Sequence, residues 1–93
     1  MSNGESSKKG WRAVVTSIAE KQLHRIQSED RERVELVIID MEENPFRGDI
    51  VKLGGGGNRW RRRIGNYRLI YNILYEERIV FIYDVRRRTS STY

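Results

Sequence analysis

Residues 60–88, WRRRIGNYRLIYNILYEERIVFIYDVRRR, set the architecture of this chain. Residues 60–64 form a short run that ends at Gly65-Asn66, a dipeptide of the two-residue hairpin kind. Residues 67–75 alternate, with Leu69, Tyr71 and Ile73 on one face and Arg68, Ile70 and Asn72 on the other. Glu76-Glu77 turns the chain, and residues 78–85 are almost continuously apolar, as a central strand would be. Two tight connections in succession make a three-stranded antiparallel meander.

Upstream, Gly54 to Gly57 are four consecutive glycines and read as a flexible loop. They lack the lysine and following helix of a phosphate-binding P-loop. Residues 46–53 connect, with a short extended piece at 50–53. Before them, Val34, Val37, Ile38 and Met41 recur at the spacing of one buried helix face, and Asn44-Pro45 stops that helix. Ser28 is its expected N-cap, with Glu29 and Asp30 in the first turn. Leu36 and Ile39 lie off the buried face and offer an apolar strip to a partner. An earlier helix is expected to start at Ser17, with Glu20 completing a capping box, and to run to about Gln27. Residues 11–16 read as a strand. The expected fold is α+β: an N-terminal strand, a two-helix hairpin, then the meander completing one sheet, with the helices on one face. Residues 1–10 are expected to be a flexible lead and residues 11–93 a single domain.

Charge divides the chain unevenly. From Asn58 onward nine arginines stand against three acids, a net of +6, whereas residues 11–57 hold seven basic and nine acidic residues, a net of −2. Because the arginines are interleaved with strand-forming residues, the strands gather them on surfaces that would grip a polyanion, most naturally a nucleic acid. There is no cysteine and His24 is the only histidine, so a thiolate or histidine metal cluster is not available, and His24 is expected to be an exposed helix residue rather than a catalytic base. No cofactor and no metal are expected. No apolar run approaches the ~20 residues of a membrane span, and a cytoplasmic location is expected.

The motifs VKLGGG, WRRRIGNYRLIY and RIVFIYDVRRR, and the order of elements around them, resemble the RelE/ParE superfamily of toxins from toxin–antitoxin pairs. The resemblance runs from about Trp11 to Tyr93. It implies a RelE-like sandwich and, in the messenger-RNA-cleaving branch, a metal-independent endoribonuclease acting on the ribosome and neutralised by a cognate antitoxin. On that branch the alternating catalytic pair corresponds to Arg61 and Arg63. The arginine after the turn corresponds to Arg68, the late arginine to Arg87 and the tyrosine to Tyr93. Further RNA contacts are expected of Arg59, Arg62, Arg86, Arg88 and Lys52. The alternating pair is lysine in the best-known members and arginine here.

Arg61 and Arg63 point to one face of a strand about 7 Å apart, and Arg68 follows on the next strand. Three such cations would stabilise charge growing on a phosphate under attack by a 2′-hydroxyl. Arginine is a poor general base, which leaves Tyr93 to handle a proton. Duller roles stand beside these. Arg68 could pair with Asp84 or Glu76, the 86–88 run could be a solvated tail, and Trp60, Tyr71 and Tyr75 are expected in the core. Two other functions are compatible with the pattern. One is a ParE-like inhibitor of DNA gyrase, the other a catalytically inactive relative that binds RNA or the ribosome.

Overall fold

The chain enters the sheet through β1 (Arg12–Val15), which pairs parallel to the last strand with Val15 opposite Ile82. The backbone N–H of Thr16 donates to the carbonyl of Ile82, so the ladder holds Thr16 extended. Its Oγ1 then accepts from Ala19 N at 3.2 Å and caps α1 (Ser17–His24). The cap falls one residue before the expected Ser17, because the ladder fixes which of two adjacent hydroxyls lies outside the helix. Helix α1 ends earlier than expected, at the Arg25 C-cap, and α2 (Ser28–Glu43) starts with Ser28 inside it and Gln27 as an N-cap without a side-chain bond. Asn44 closes α2 ahead of Pro45.

This architecture comes from a computed structural model that describes residues 10–55 and 57–87. After α2 come β2 (Ile50–Lys52), β3 (Arg59–Ile64), β4 (Tyr67–Leu74) and β5 (Ile79–Arg87). They form a five-stranded sheet in the order β1-β5-β4-β3-β2. β5 is interior, as its apolar run implied, and β1 completes the sheet beside it. The short piece at 50–52 adds to the outer edge of β3, so the antiparallel part holds four strands where the sequence suggested three. Gly65 alone of the β3–β4 turn pair has positive φ, 56°, and Arg78 takes φ 58° at the β4–β5 turn, so β5 begins at Ile79.

One face of the sheet is buried. Leu69, Tyr71 and Ile73 of β4 and Val80, Ile82 and Val85 of β5 join Ala19 and Leu23 of α1 and Val34, Ile38 and Met41 of α2. These are the alternating and helical-period residues of the sequence, and their burial is the main source of stability. Gly48, at φ +97°, lets the Arg62 guanidinium lie against the backbone and donate from Nη1 to the carbonyl of Arg47 at 2.9 Å. Tyr75 departs from expectation. It is 51% exposed and stacks on Phe46 at 6.1 Å, because β4 ends at Leu74 and the turn carries it out of the core.

Candidate functional site

The face turned away from the helices carries Arg59, Arg61 and Arg63 of β3 and Arg68, Ile70 and Asn72 of β4, by the pleat of each strand. Cross-strand register puts Arg63 opposite Arg68 and Arg68 opposite Arg86, a row of three arginines over three adjacent strands. Arg61 stands one pair further along, opposite Ile70. Neighbours in such a row lie about 5 Å apart at Cβ, where like charges repel. The sequence therefore concentrates positive charge where the fold alone gains nothing from it.

Two acids partly offset that charge. Asp49 Oδ2 lies 3.4 Å from Arg63 Nε at the β2 edge, and Asp84 Oδ2 accepts from Arg86 Nε at 2.8 Å. Among the described residues Arg61 and Arg68 have no carboxylate partner, so the cross-strand pairing of Arg68 with Asp84 or Glu76 does not form. Asp84 is itself held by Gln22 of α1. Gln22 Nε2 donates to Asp84 Oδ1 at 2.9 Å, and Gln22 Oε1 accepts from Val85 N at 2.7 Å. This side chain closes the edge of β5 beyond the reach of β1. Nothing in the sequence marks Gln22 for that role, whereas the Asp84–Arg86 spacing of two along a strand was a visible signal for the pair.

Arg87 is set apart from the other expected catalytic residues. Ile82 pairs with Tyr71 and Asp84 with Ile70, so Tyr83 is an extra residue at a bulge. The bulge reverses the alternation of β5. Counting from Ile82 without it would put Arg87 on the open face, but the observed register pairs Arg87 with Tyr67 on the helix side and gives the open face to Arg86. Arg62 and Lys52 also belong to the helix-side face, since Arg62 alternates with Arg61 and Lys52 pairs with Trp60. Arg62 serves the fold by bonding the Arg47 carbonyl. Arg88 and Tyr93 lie outside the described residues. His24 is exposed beside Glu20, at 3.7 Å.

On the helix side of the same sheet end, Gln22, Arg25, Ile26, Tyr67, Val85 and Arg87 line a cleft of about 300 Å³. Among the described residues no group of three or more His, Cys, Asp or Glu side chains could hold a metal, and no helix is long and apolar enough to cross a membrane.

The fold has relatives among solved structures. The chain is similar to the archaeal RelE–RelB complex from Pyrococcus horikoshii, at 23% identity over 88% of this chain and 99% of that one, TM-score 0.77. It is similar to the RelBE2 toxin–antitoxin complex from Mycobacterium tuberculosis, at 26% identity over 85% and 99%, TM-score 0.77. A YoeB/ParE toxin from Agrobacterium tumefaciens shares 19% identity over 84% and 99%, TM-score 0.69. No curated protein matches the sequence. The family model described as "ParE toxin of type II toxin-antitoxin system, parDE" matches residues 8–91. The chain belongs to the ParE toxin family of type II toxin–antitoxin systems, within the RelE/ParE superfamily.

Proposed function

We propose that this toxin is a ribosome-dependent endoribonuclease that cleaves messenger RNA and so stops translation. The observation that carries the reading is the row Arg63–Arg68–Arg86 with Arg61 beside it, of which Arg61 and Arg68 keep their charge free of carboxylates among the described residues. A phosphate entering this face relieves the repulsion within the row and gains charge-assisted bonds.

Cleavage proceeds by attack of the 2′-oxygen on the adjacent phosphorus. The 2′-hydroxyl loses its proton, the bond to the 5′-oxygen breaks, and that oxygen takes a proton, leaving a 2′,3′-cyclic phosphate and a 5′-hydroxyl. Charge on the phosphoryl oxygens rises towards the transition state, so guanidinium groups fixed by the sheet bind it more tightly than the ground state. Arg61, Arg63 and Arg68 take that role, with Arg86 as the arginine of the last strand that shares their face. The proton steps fall to Tyr93, on the strength of the resemblance. Orientation by the ribosome would supply what this sparse acid–base equipment lacks. A cognate antitoxin would silence the toxin by covering the cationic face or by docking on α2, where Leu36 and Ile39 are 61% and 50% exposed.

A second reading is favoured by the matching family model, whose description is of ParE. On it, the same face binds without cutting and the target is DNA gyrase. Expression of the full chain in cells, with mapping of transcript 5′ ends, tests the two. Cuts phased to codons within translated messages support the nuclease. A DNA-damage response with intact transcripts rejects it in favour of gyrase inhibition.

A further inference from the structure

The cleft between α1 and the outer ends of β4 and β5 has no part in the proposed phosphate grip, yet its lining suits a nucleotide. Ile26 and Val85 are buried and form an apolar floor, and Tyr67 adds a half-buried aromatic ring. Arg25 and Arg87 stand exposed at the rim, and neither has a carboxylate partner among the described residues. A volume of about 300 Å³ suits one small ligand. An aromatic ring over apolar side chains receives a base, and two free guanidinium groups receive its phosphate.

We propose that this cleft is a second nucleotide-binding site, which holds a nucleotide flanking the one gripped on the open face. The proposal rests on the reading of the open face as an RNA surface. Arg86 and Arg87 are consecutive residues whose side chains leave β5 on opposite faces. An RNA strand that crosses the row Arg63–Arg68–Arg86 reaches the cleft by rounding the end of the sheet. That continuity, together with the base-sized apolar floor, favours RNA over an acidic protein segment, which would use the arginines and leave the floor without a purpose.

The test uses the full chain, labelled with ¹⁵N, and adenosine 5′-monophosphate as the probe. The nucleotide should move the amide signals of Ile26, Tyr67 and Val85 more strongly than inorganic phosphate does. The double variant Arg25→Gln, Arg87→Gln, whose side chains are exposed and outside the core, should weaken this binding about tenfold. It should also lower the salt slope for a labelled RNA oligonucleotide by about 0.7 for each phosphate no longer held. Signals that move only at Arg61, Arg68 and Arg86, or not at all, overturn the proposal. So does a glutamate-rich peptide that shifts the cleft signals at lower concentration than the nucleotide. The variant Arg61→Gln, Arg68→Gln separates the two readings. If it alone loses the oligonucleotide, the cleft proposal fails and the open face stands. If only the cleft variant loses it, the open-face reading fails.

Discussion

Asp84 sits among the arginines that are meant to meet a phosphate, so replacing it with asparagine should strengthen RNA binding. Its carboxylate accepts from Arg86 Nε at 2.8 Å and from Gln22 Nε2 at 2.9 Å. In Asp84→Asn the amide oxygen still accepts from Gln22, while Arg86 is released and a negative charge leaves the site. A carboxylate about 6 Å from a bound phosphate repels it by about 0.7 kcal/mol in water, equivalent to about threefold in affinity. Arg86, once free, adds a counterion-releasing contact. Each phosphate contact contributes about −0.7 to the slope of log affinity against log salt for single-stranded RNA, so the release of Arg86 should steepen the slope by about 0.7. An exposed ion pair stabilises a fold by only about 0–1 kcal/mol, so the variant stays folded. The assay is fluorescence anisotropy of a labelled 2′-O-methyl oligonucleotide, which cannot be cut, at several salt concentrations. Unchanged or weaker binding with an unchanged slope is incompatible with a carboxylate that opposes the phosphate.

Four further variants probe the scaffold. Tyr71 is fully buried and its hydroxyl has no hydrogen-bond partner among the described residues, so Tyr71→Phe should raise stability to urea by about 1 kcal/mol. Burial pushes the Tyr71 phenol up to about 12, with Arg62 pulling the other way. Its neutral form is therefore favoured by folding, a contribution that is whole below about pH 10 and is lost as pH rises through about 12. The wild type should lose stability over that range faster than Tyr71→Phe, and parallel losses reject the assignment. Gly48→Ala forces a side chain onto φ +97° and drives its Cβ against the Arg62 guanidinium. It should cost about 1–3 kcal/mol by urea melting, and a loss under about 0.5 kcal/mol contradicts the close approach. Thr16→Ala should cost about 1 kcal/mol and Ser17→Ala much less. The reverse order would return the cap to Ser17.

Much of this fold was legible in residues 60–88, because both faces of β4 and the apolar run of β5 are written in alternation. The strip of Val34, Ile38 and Met41 was legible for the same reason. β2 was only partly so: Val51 and Lys52 are exposed and bury nothing that would leave a pattern. The cap at Thr16 depended on a backbone bond to Ile82, 66 positions away in sequence, which no local motif records. For the candidate site, the grouping of Arg61, Arg63 and Arg68 followed from spacing two along one strand and a two-residue turn. Which of Arg86 and Arg87 shares their face was not legible, because a bulge at Tyr83 reverses the alternation and its own residues carry no glycine or other mark of it. The helix-side cleft leaves no signal in the sequence, since α1 and β5 meet there only through tertiary packing.

Whether the cationic face cuts RNA or merely binds it is decided by mapping transcript 5′ ends after expression of the wild type and of Arg68→Ala, with circular dichroism confirming that the variant folds. In-frame cuts are expected from the wild type, and their loss when this one unpaired arginine is removed from the open face. Cuts of the same position and strength in both proteins would contradict a phosphate grip at Arg68.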